Sequence, residues 1–415
     1  MRFLALLLLS TQALADELPI RASVDGWFGA RYEDTSESAI DPTNRTLAIP
    51  RFGLFGDLRA GGKADLGAVQ LSARLREEIV RGRVHFLSPA ESIWDTETEF
   101  MVIDASATWT VNDYLILSAG GQNYQWGPAE LLSPSNTIFH FIPGQRTLRW
   151  IEPARWIGRA NLSVGSSWSL VAMIEALEQK ESTFIADVPF KPIALLKAEY
   201  RAETGNHYVG ATASQTVSRM FHWGEYGSYS ILEGFSVYGD LRHSVGSESW
   251  YPVVNPDTTI SMLQSERDSD DLFTLAIFGL RFEDRVDARI EYVHNDYGYS
   301  STDQSRALQG IRVPSPQLPS NFLRLLAPGL EMPSRDVIYA SVRVPDLGPA
   351  KELAVTGRYL LSLTDRSGAA GATGEWLLSD NASFFADLAY NHDGEMPGFA
   401  SIVSADLSGG IRLQF

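Results

Sequence analysis

From residue 21 to the C-terminus the chain alternates. Val24, Gly26, Phe28, Ala30 and Tyr32 share one parity, with Asp25 and Arg31 on the other. Phe52, Leu54, Gly56, Leu58 and Ala60 oppose Arg51, Asp57 and Arg59. Val69, Leu71, Ala73 and Leu75 oppose Gln70, Ser72, Arg74 and Arg76, and Met101, Ile103, Ala105, Ala107 and Trp109 oppose Asp104, Ser106 and Thr108. Leu353, Val355, Gly357, Tyr359 and Leu361 oppose Thr356 and Arg358. Successive side chains of a strand point to opposite faces, so this pattern makes strands with one greasy and one wet side. It predicts strands at 21–33, 47–60, 67–80, 100–109, 114–124, 155–164, 168–176, 193–202, 207–216, 222–229, 234–243, 271–282, 287–295, 336–344, 352–361, 370–378, 383–391 and 402–415. The only helical candidate is the short stretch 172–180.

The connections alternate as well. Short turns fall at Gly61-Gly62-Lys63, 110–113, 165–167, 203–206, 232–234, 283–285 and 379–381, and long polar connections at 34–46, 81–99, 125–154, 177–192, 244–270, 296–335 and 392–400. Short turns on one side and long loops on the other are the layout of an outer-membrane barrel. The expected fold is therefore all-β: a transmembrane antiparallel β-barrel of 18 strands, with short periplasmic turns and long extracellular loops. Omitting 222–229 and 370–378 gives a 16-stranded alternative. In lipid every backbone N–H and C=O needs a partner, and a closed sheet is the β solution. A barrel of this size encloses water, where eight strands would fill with side chains. Trp109, Trp168 and Tyr32 sit near strand ends, as interfacial girdles do.

The N-terminus reads as an address. Met1-Arg2, the apolar run Phe3 to Leu9 and the small-x-small Ala13-Leu14-Ala15 lay out a secretory signal peptide over residues 1–15, too short to span a bilayer, with the barrel over 16–415. The most apolar later stretch, Leu272 to Phe282, is about half of the ~20 residues a spanning helix needs.

At the other end the chain closes Gly409-Gly410-Ile411-Arg412-Leu413-Gln414-Phe415, with Ile411, Leu413 and Phe415 on one face. This resembles the final strand of Gram-negative outer-membrane β-barrel channels of porin-like type. The resemblance implies recognition of those three residues by the barrel-insertion machinery and residence in the outer membrane among its lipids and lipopolysaccharide. Gly121-Gln122-Asn123-Tyr124-Gln125-Trp126-Gly127-Pro128 resembles a strand-to-loop junction of porin-like barrels. Porins of this size are often trimers, so a homotrimer is one assembly the resemblance implies.

Charge narrows the partners. The chain of 415 residues carries 34 Lys+Arg and 51 Asp+Glu, a net −17, and no cysteine. Disulfide and Cys-zinc scaffolds are excluded. A strongly acidic chain repels phosphates unless it carries a concentrated basic face, which argues against nucleic acid. The charge is segregated: Arg51, Arg59, Arg74, Arg76, Arg155, Arg159, Arg201, Arg289, Arg343 and Arg358 fall on the wet face, while many carboxylates fall in the long loops. One reading is that these Arg pair with inward Asp57, Glu78, Asp104, Glu199, Asp287 and Glu291 and stiffen the wall. The other is an Arg ladder that attracts anionic solutes by focusing field in a narrow pore.

Loop 125–154 is the candidate constriction, because IFHFIP is unlike an exposed polar loop and four prolines stiffen it. The pore-lining and constriction candidates are Arg74, Arg76, Trp126, Glu130, Arg146, Arg149, Trp150, Arg155 and Arg159. An external loop packing its aromatics on its own hairpins is the alternative. Asp268, Asp270 and Asp271 in LQSERDSDD form a weak Ca²⁺ candidate that lacks the Gly and terminal Glu of an EF-hand loop. No HExxH, GxSxG or phosphate-cradling loop occurs, so no cofactor and no enzyme activity is expected; a rim dyad such as His85 with Asp95 is the nearest hydrolase constellation. The sequence reads best as a channel for small hydrophilic, in one version anionic, solutes, with a polysaccharide export or assembly barrel or a surface adhesin or receptor as alternatives.

Overall fold

The computed structural model describes residues 20–35, 49–85, 92–139, 147–151, 154–177, 191–205, 207–217, 220–312, 318–326, 328–349, 351–392 and 403–415. Residues 1–15, where a signal peptide is expected, Arg146 and the IFHFIP residues from His140 onward lie outside these, as does the side chain of His85.

The alternating segments become β1 (Ile20–Asp34), β2 (Phe52–Leu66), β3 (Val69–His85), β4 (Ser92–Thr110), β5 (Leu115–Gln122), β6 (Arg155–Val164), β7 (Trp168–Leu177), β8 (Ile193–Arg201), β9 (His207–Thr216) and β10 (Phe221–Leu232). They continue as β11 (Phe235–Val245), β12 (Tyr251–Val254), β13 (Ile260–Leu263), β14 (Leu272–Glu283), β15 (Asp287–Asn295), β16 (Asp336–Leu347), β17 (Leu353–Ser362), β18 (Gly368–Ser379), β19 (Ala382–His392) and β20 (Ala405–Gln414). Eighteen of them, all but β12 and β13, form one antiparallel sheet in which each strand pairs with its sequence neighbour. β20 then pairs with β1, through Ile411 opposite Phe28 and Leu413 opposite Gly26, and the sheet closes. Phe415 and Val24 exchange two backbone hydrogen bonds of 2.9 Å at the seam. Closure leaves no free edge, which is the condition for a sheet in lipid. The 222–229 and 370–378 segments are both present, as β10 and β18, so the 16-stranded alternative falls.

Phe28, Leu54, Leu71, Leu170, Leu196, Phe278, Ile290 and Leu388 project outward as an exposed apolar belt. Trp109 and Trp168 rim it on the short-turn side, the latter packed on Tyr200 at 5.2 Å, and Tyr32 on the long-loop side. Polar partners such as Asp57 and Glu291 turn inward and are fully buried.

The structure corrects four local expectations. The first turn is not at Gly61-Gly62-Lys63. Those residues lie inside β2, paired with β1 and with β3, and the reversal comes at Gly67, whose φ of 79° is in the left-handed region. Ladder pairing on both sides outweighs the local Gly-Gly turn signal. Second, β4 is bulged: Arg74 faces Asp104 while Leu75 faces Val102, so Ile103 is the extra residue and turns inward, 2 % exposed. A bulge inserts one residue and reverses the alternation beyond it, so Phe100 rather than Met101 faces outward. Third, 172–180 yields no described helix, since β7 runs through Leu177. Fourth, helices occur where none was expected, in the 296–335 connection: α1 (Ser301–Arg312) and α2 (Leu318–Leu326). Ser300 caps α1: its hydroxyl accepts the Asp303 N–H at 3.2 Å, and the Asp303 carboxylate accepts the Ser300 N–H at 3.1 Å in return. The two helices pack on the β12–β13 hairpin through Asn321, whose amide reaches the Ile260 and Gly310 carbonyls at 2.7 and 3.2 Å.

Candidate pore lumen

The end of β5 and the segment after it are shaped by two glycines. A Cβ on Gly120 (φ 122°) would lie 2.2 Å from the Ala105 carbonyl oxygen, and one on Gly127 (φ 88°) would lie 2.2 Å from Asp240 Oδ2. At Gly127 the loop presses against an inward side chain of β11, six strands away around the wall.

Three inward carboxylates receive the loop. Glu291 on β15 accepts the Glu130 and Leu131 N–H groups at 2.6 and 3.0 Å and the Tyr238 hydroxyl at 2.7 Å. Asp240 accepts the Ser135 N–H at 2.7 Å and the Ser133 hydroxyl at 2.8 Å. Asp387 on β19 accepts the Leu148 N–H at 3.1 Å. Hydroxyls add to these: Thr137 bonds Ser214 at 2.9 Å, and Thr212 donates to the Ser135 carbonyl at 3.1 Å. Buried carboxylates demand hydrogen bonds, and here loop backbone donors supply them.

Apolar packing follows the same route. Trp126, Ile138 and Phe139 of the loop join Ile157, Val171, Met173, Ile193, Leu195 and Tyr226 in one buried cluster. Leu131 and Leu132 join Phe273, Leu275, Ile277, Val293, Val337, Tyr339 and Leu360, with Met332 from the connection before β16. The inner face of β6–β8 and β14–β17 is therefore partly apolar. This explains why 171–174 (VAMI) and 272–280 (LFTLAIFGL) are greasy at both parities.

The other arc of wall, from β17 through β20 and β1 to β4, is charged. Asp57 is its hub, held by Arg59 at 2.7 Å and Arg76 at 2.9 Å. Arg76 also pairs with Glu78 at 3.0 Å, and Glu78 with Arg149 of the loop at 3.4 Å. Arg412 bridges Asp25 and Glu375, both at 3.1 Å. The Arg149 guanidinium stacks 3.6 Å from the Phe55 ring centroid, and its carbonyl accepts from Arg59. Burial drags Arg149 below its usual pKa while Glu78 and Asp57 pull it up. The loop thus touches the wall on both sides.

The remaining candidates divide. Arg74 pairs with Asp104 and keeps an exposed side chain. Glu130 accepts from Arg289 (3.2 Å), Tyr339 (3.0 Å) and Ser341 (2.8 Å). Trp150 packs against the Leu131 cluster, and Arg155 lies 3.9 Å from Glu175. Arg159 sits 4.2 Å from the Tyr124 ring centroid, with no carboxylate in ion-pair range among the described residues. Of the carboxylates expected to pair with the wall, Asp57, Glu78, Asp104, Glu199 and Asp287 meet Arg or Lys, whereas Glu291 serves the loop backbone. Among the described residues no three His, Asp or Glu side chains gather to hold a metal, and Asp268, Asp270 and Asp271 form no such set. Asp240, Asp387 and the hub role of Asp57 are the features that sequence reading missed. Their only signal was a carboxylate at an inward parity position.

At the level of sequence, no family model and no curated protein matches the chain. Its fold is similar to solved outer-membrane channels. Acinetobacter baumannii OccAB1 superposes with a TM-score of 0.58 at 10% identity, over 96% of each chain. Pseudomonas aeruginosa OprD gives 0.54 at 11% identity, over 95% of this chain and 94% of its own. Pseudomonas aeruginosa OccK11 (OpdR) gives 0.54 at 11%, over 96% of each. The likeness is one of architecture: a porin-like, 18-stranded outer-membrane barrel.

Proposed function

We propose that this barrel is a diffusion channel for small hydrophilic solutes, constricted by the loop between β5 and β6. The observation that carries the reading is the tethering of that loop across the interior. Residues 127–137 bond to β9, β11, β15 and β16, and Leu148 and Arg149 to β19, β2 and β3. A surface adhesin needs no such internal strut. A polysaccharide exporter is poorly served by one that narrows the lumen. The solute path then runs along the charged arc, between the loop and β17–β4.

The paired wall favours rigidity over a bare cationic ladder. Anion preference is then set by the balance of Arg and carboxylate along that charged arc, in a confined pore where water is scarce and fields are focused. Deleting residues 130–147 and reconstituting the barrel in planar bilayers tests the constriction. Single-channel conductance rises about twofold or more, because a pore's resistance is concentrated at its narrowest section. Unchanged conductance in a correctly folded barrel removes the loop from the solute path.

A further inference from the structure

The lipid-facing side of β8–β11 and β14 has an unusual hollow. Tyr200, Val209, Gly227, Gly239 and Phe278 are successive cross-strand neighbours on the outer face. Two adjacent glycines in the middle of that row leave a pit of about 730 Å³, within the ~300–1,000 Å³ of small-molecule sites. Its walls are the projecting side chains of Val209 and Phe278, and its lower lip is Tyr229. Outward positions of a barrel ordinarily carry large apolar groups.

The periplasmic end of the pit is polar in a defined way. His207, beside the short 202–206 turn, stacks on Tyr229 with centroids 4.2 Å apart and planes at 14°. Its Nδ1 accepts the Ser230 N–H at 3.3 Å. An imidazole nitrogen that accepts carries no proton, so the ring's proton sits on Nε2 as a donor. Tyr200 and Tyr229 both line the pit, Tyr229 directly opposite His207 in the ladder. A hydrogen-bond donor at the membrane interface below an apolar hollow matches the phosphate oxygens of a head group that carries acyl chains.

We propose that this pit holds a glycerophospholipid of the periplasmic leaflet, one acyl chain lying over Gly227 and Gly239 and its head group at His207. A flexible chain follows a hollow one or two strands wide. A second barrel would meet the ridges of Val209, Tyr229 and Phe278 first and leave the floor unfilled.

Native mass spectrometry of the barrel in mild detergent, with dioleoylphosphatidylethanolamine added back, reads the site. Gly239→Leu fills the pit without strain, since the nearest heavy atom to its Cβ would be Phe278 Cδ1 at 3.5 Å. The unaltered barrel should retain one phospholipid. Gly239→Leu should lower that adduct about tenfold, with conductance unchanged and the heat-modifiable band of a folded barrel intact. His207→Phe keeps the stack but removes the Nε2 donor, and should weaken phospholipid while sparing dioleoylglycerol. Equal adducts on the unaltered barrel and Gly239→Leu, or no adduct on either, overturn the proposal. So does a dimer or trimer mass that Gly239→Leu abolishes, which would assign the pit to a second copy. Equal losses of phospholipid and dioleoylglycerol in His207→Phe would remove the head-group contact and with it the phospholipid assignment.

Discussion

From β6 to β16 the inner wall carries Ile157, Val171, Leu195, Leu275, Ile277 and Val293 and is covered by the chain's own loops. From β17 round to β4 it carries Asp25, Asp57, Arg59, Arg76, Glu78, Glu375 and Arg412, knitted into ion pairs. The first arc behaves like the core of a soluble protein: apolar area is removed from water, and the buried carboxylates Asp240 and Glu291 are taken up by donors of the loop. The second carries its charge within the wall and neutralises it locally, Arg against carboxylate. The lesson is that inward does not mean wet. What an inner face looks like depends on whether another part of the chain covers it.

The largest expected effect separates two leucines of one strand. Leu275 is 0 % exposed among the loop residues, and Leu280 lies on the outer face. Leu275→Ala leaves a cavity that neighbours fill incompletely, a loss of about 2–5 kcal/mol. At Leu280→Ala lipid closes over the gap, and since acyl chains are as apolar as Leu the loss is about 1 kcal/mol or less. Unfolding of both variants in lipid vesicles by urea or heat measures the difference. Equal losses would mean that the inner arc is not a packed core.

How much of this the sequence disclosed follows the same division. Period two located every barrel strand, because lipid outside imposes one constraint on all of them, and the final strand closes the sheet by pairing with β1. The charged arc was legible as Arg opposite carboxylate. The covered arc was not. In VAMI and LFTLAIFGL the second greasy face reports that something lies against it, but not which loop, since that pairing joins residues more than a hundred apart such as Leu131 and Glu291. Ile103 was misplaced because a bulge leaves no mark in the hydrophobic pattern. The helices α1 and α2 were masked by the polar composition of their loop.

A smaller effect is expected from the loop's tether. Glu291→Gln keeps the size of the side chain but turns one of two accepting oxygens into a donor. It then faces the Glu130 and Leu131 N–H groups and the Tyr238 hydroxyl, which are themselves donors. Leaving one such group unsatisfied costs about 1–3 kcal/mol. That is enough to free the segment around Glu130 for part of the time without unfolding the barrel. The readout is excess open-channel noise and a broader spread of conductance levels than in the unaltered protein. Quiet recordings would show that the hydroxyl and apolar contacts hold the loop unaided.

The charged arc offers the finest test, since there the change is one of field and not of structure. Asp57 is 0 % exposed and compensates both Arg59 and Arg76. Asp57→Asn removes one negative charge and retains an acceptor oxygen for one of the two guanidinium groups. The sign follows directly: two cations now share Asp25, Glu78 and water, so the local potential becomes more positive and anions enter more readily. Arg59 keeps a neighbour in Asp25 at 4.0 Å and Arg76 keeps Glu78 at 3.0 Å, which limits the response. The chloride-to-potassium permeability ratio should rise by about twofold, falling back toward unity as salt screens the pore wall. Reversal potentials under a KCl gradient measure it at low and at high ionic strength. A ratio that does not move, in a channel whose conductance is otherwise normal, would place the solute path away from Asp57. The covered arc would then have to be reconsidered as the side along which solutes travel.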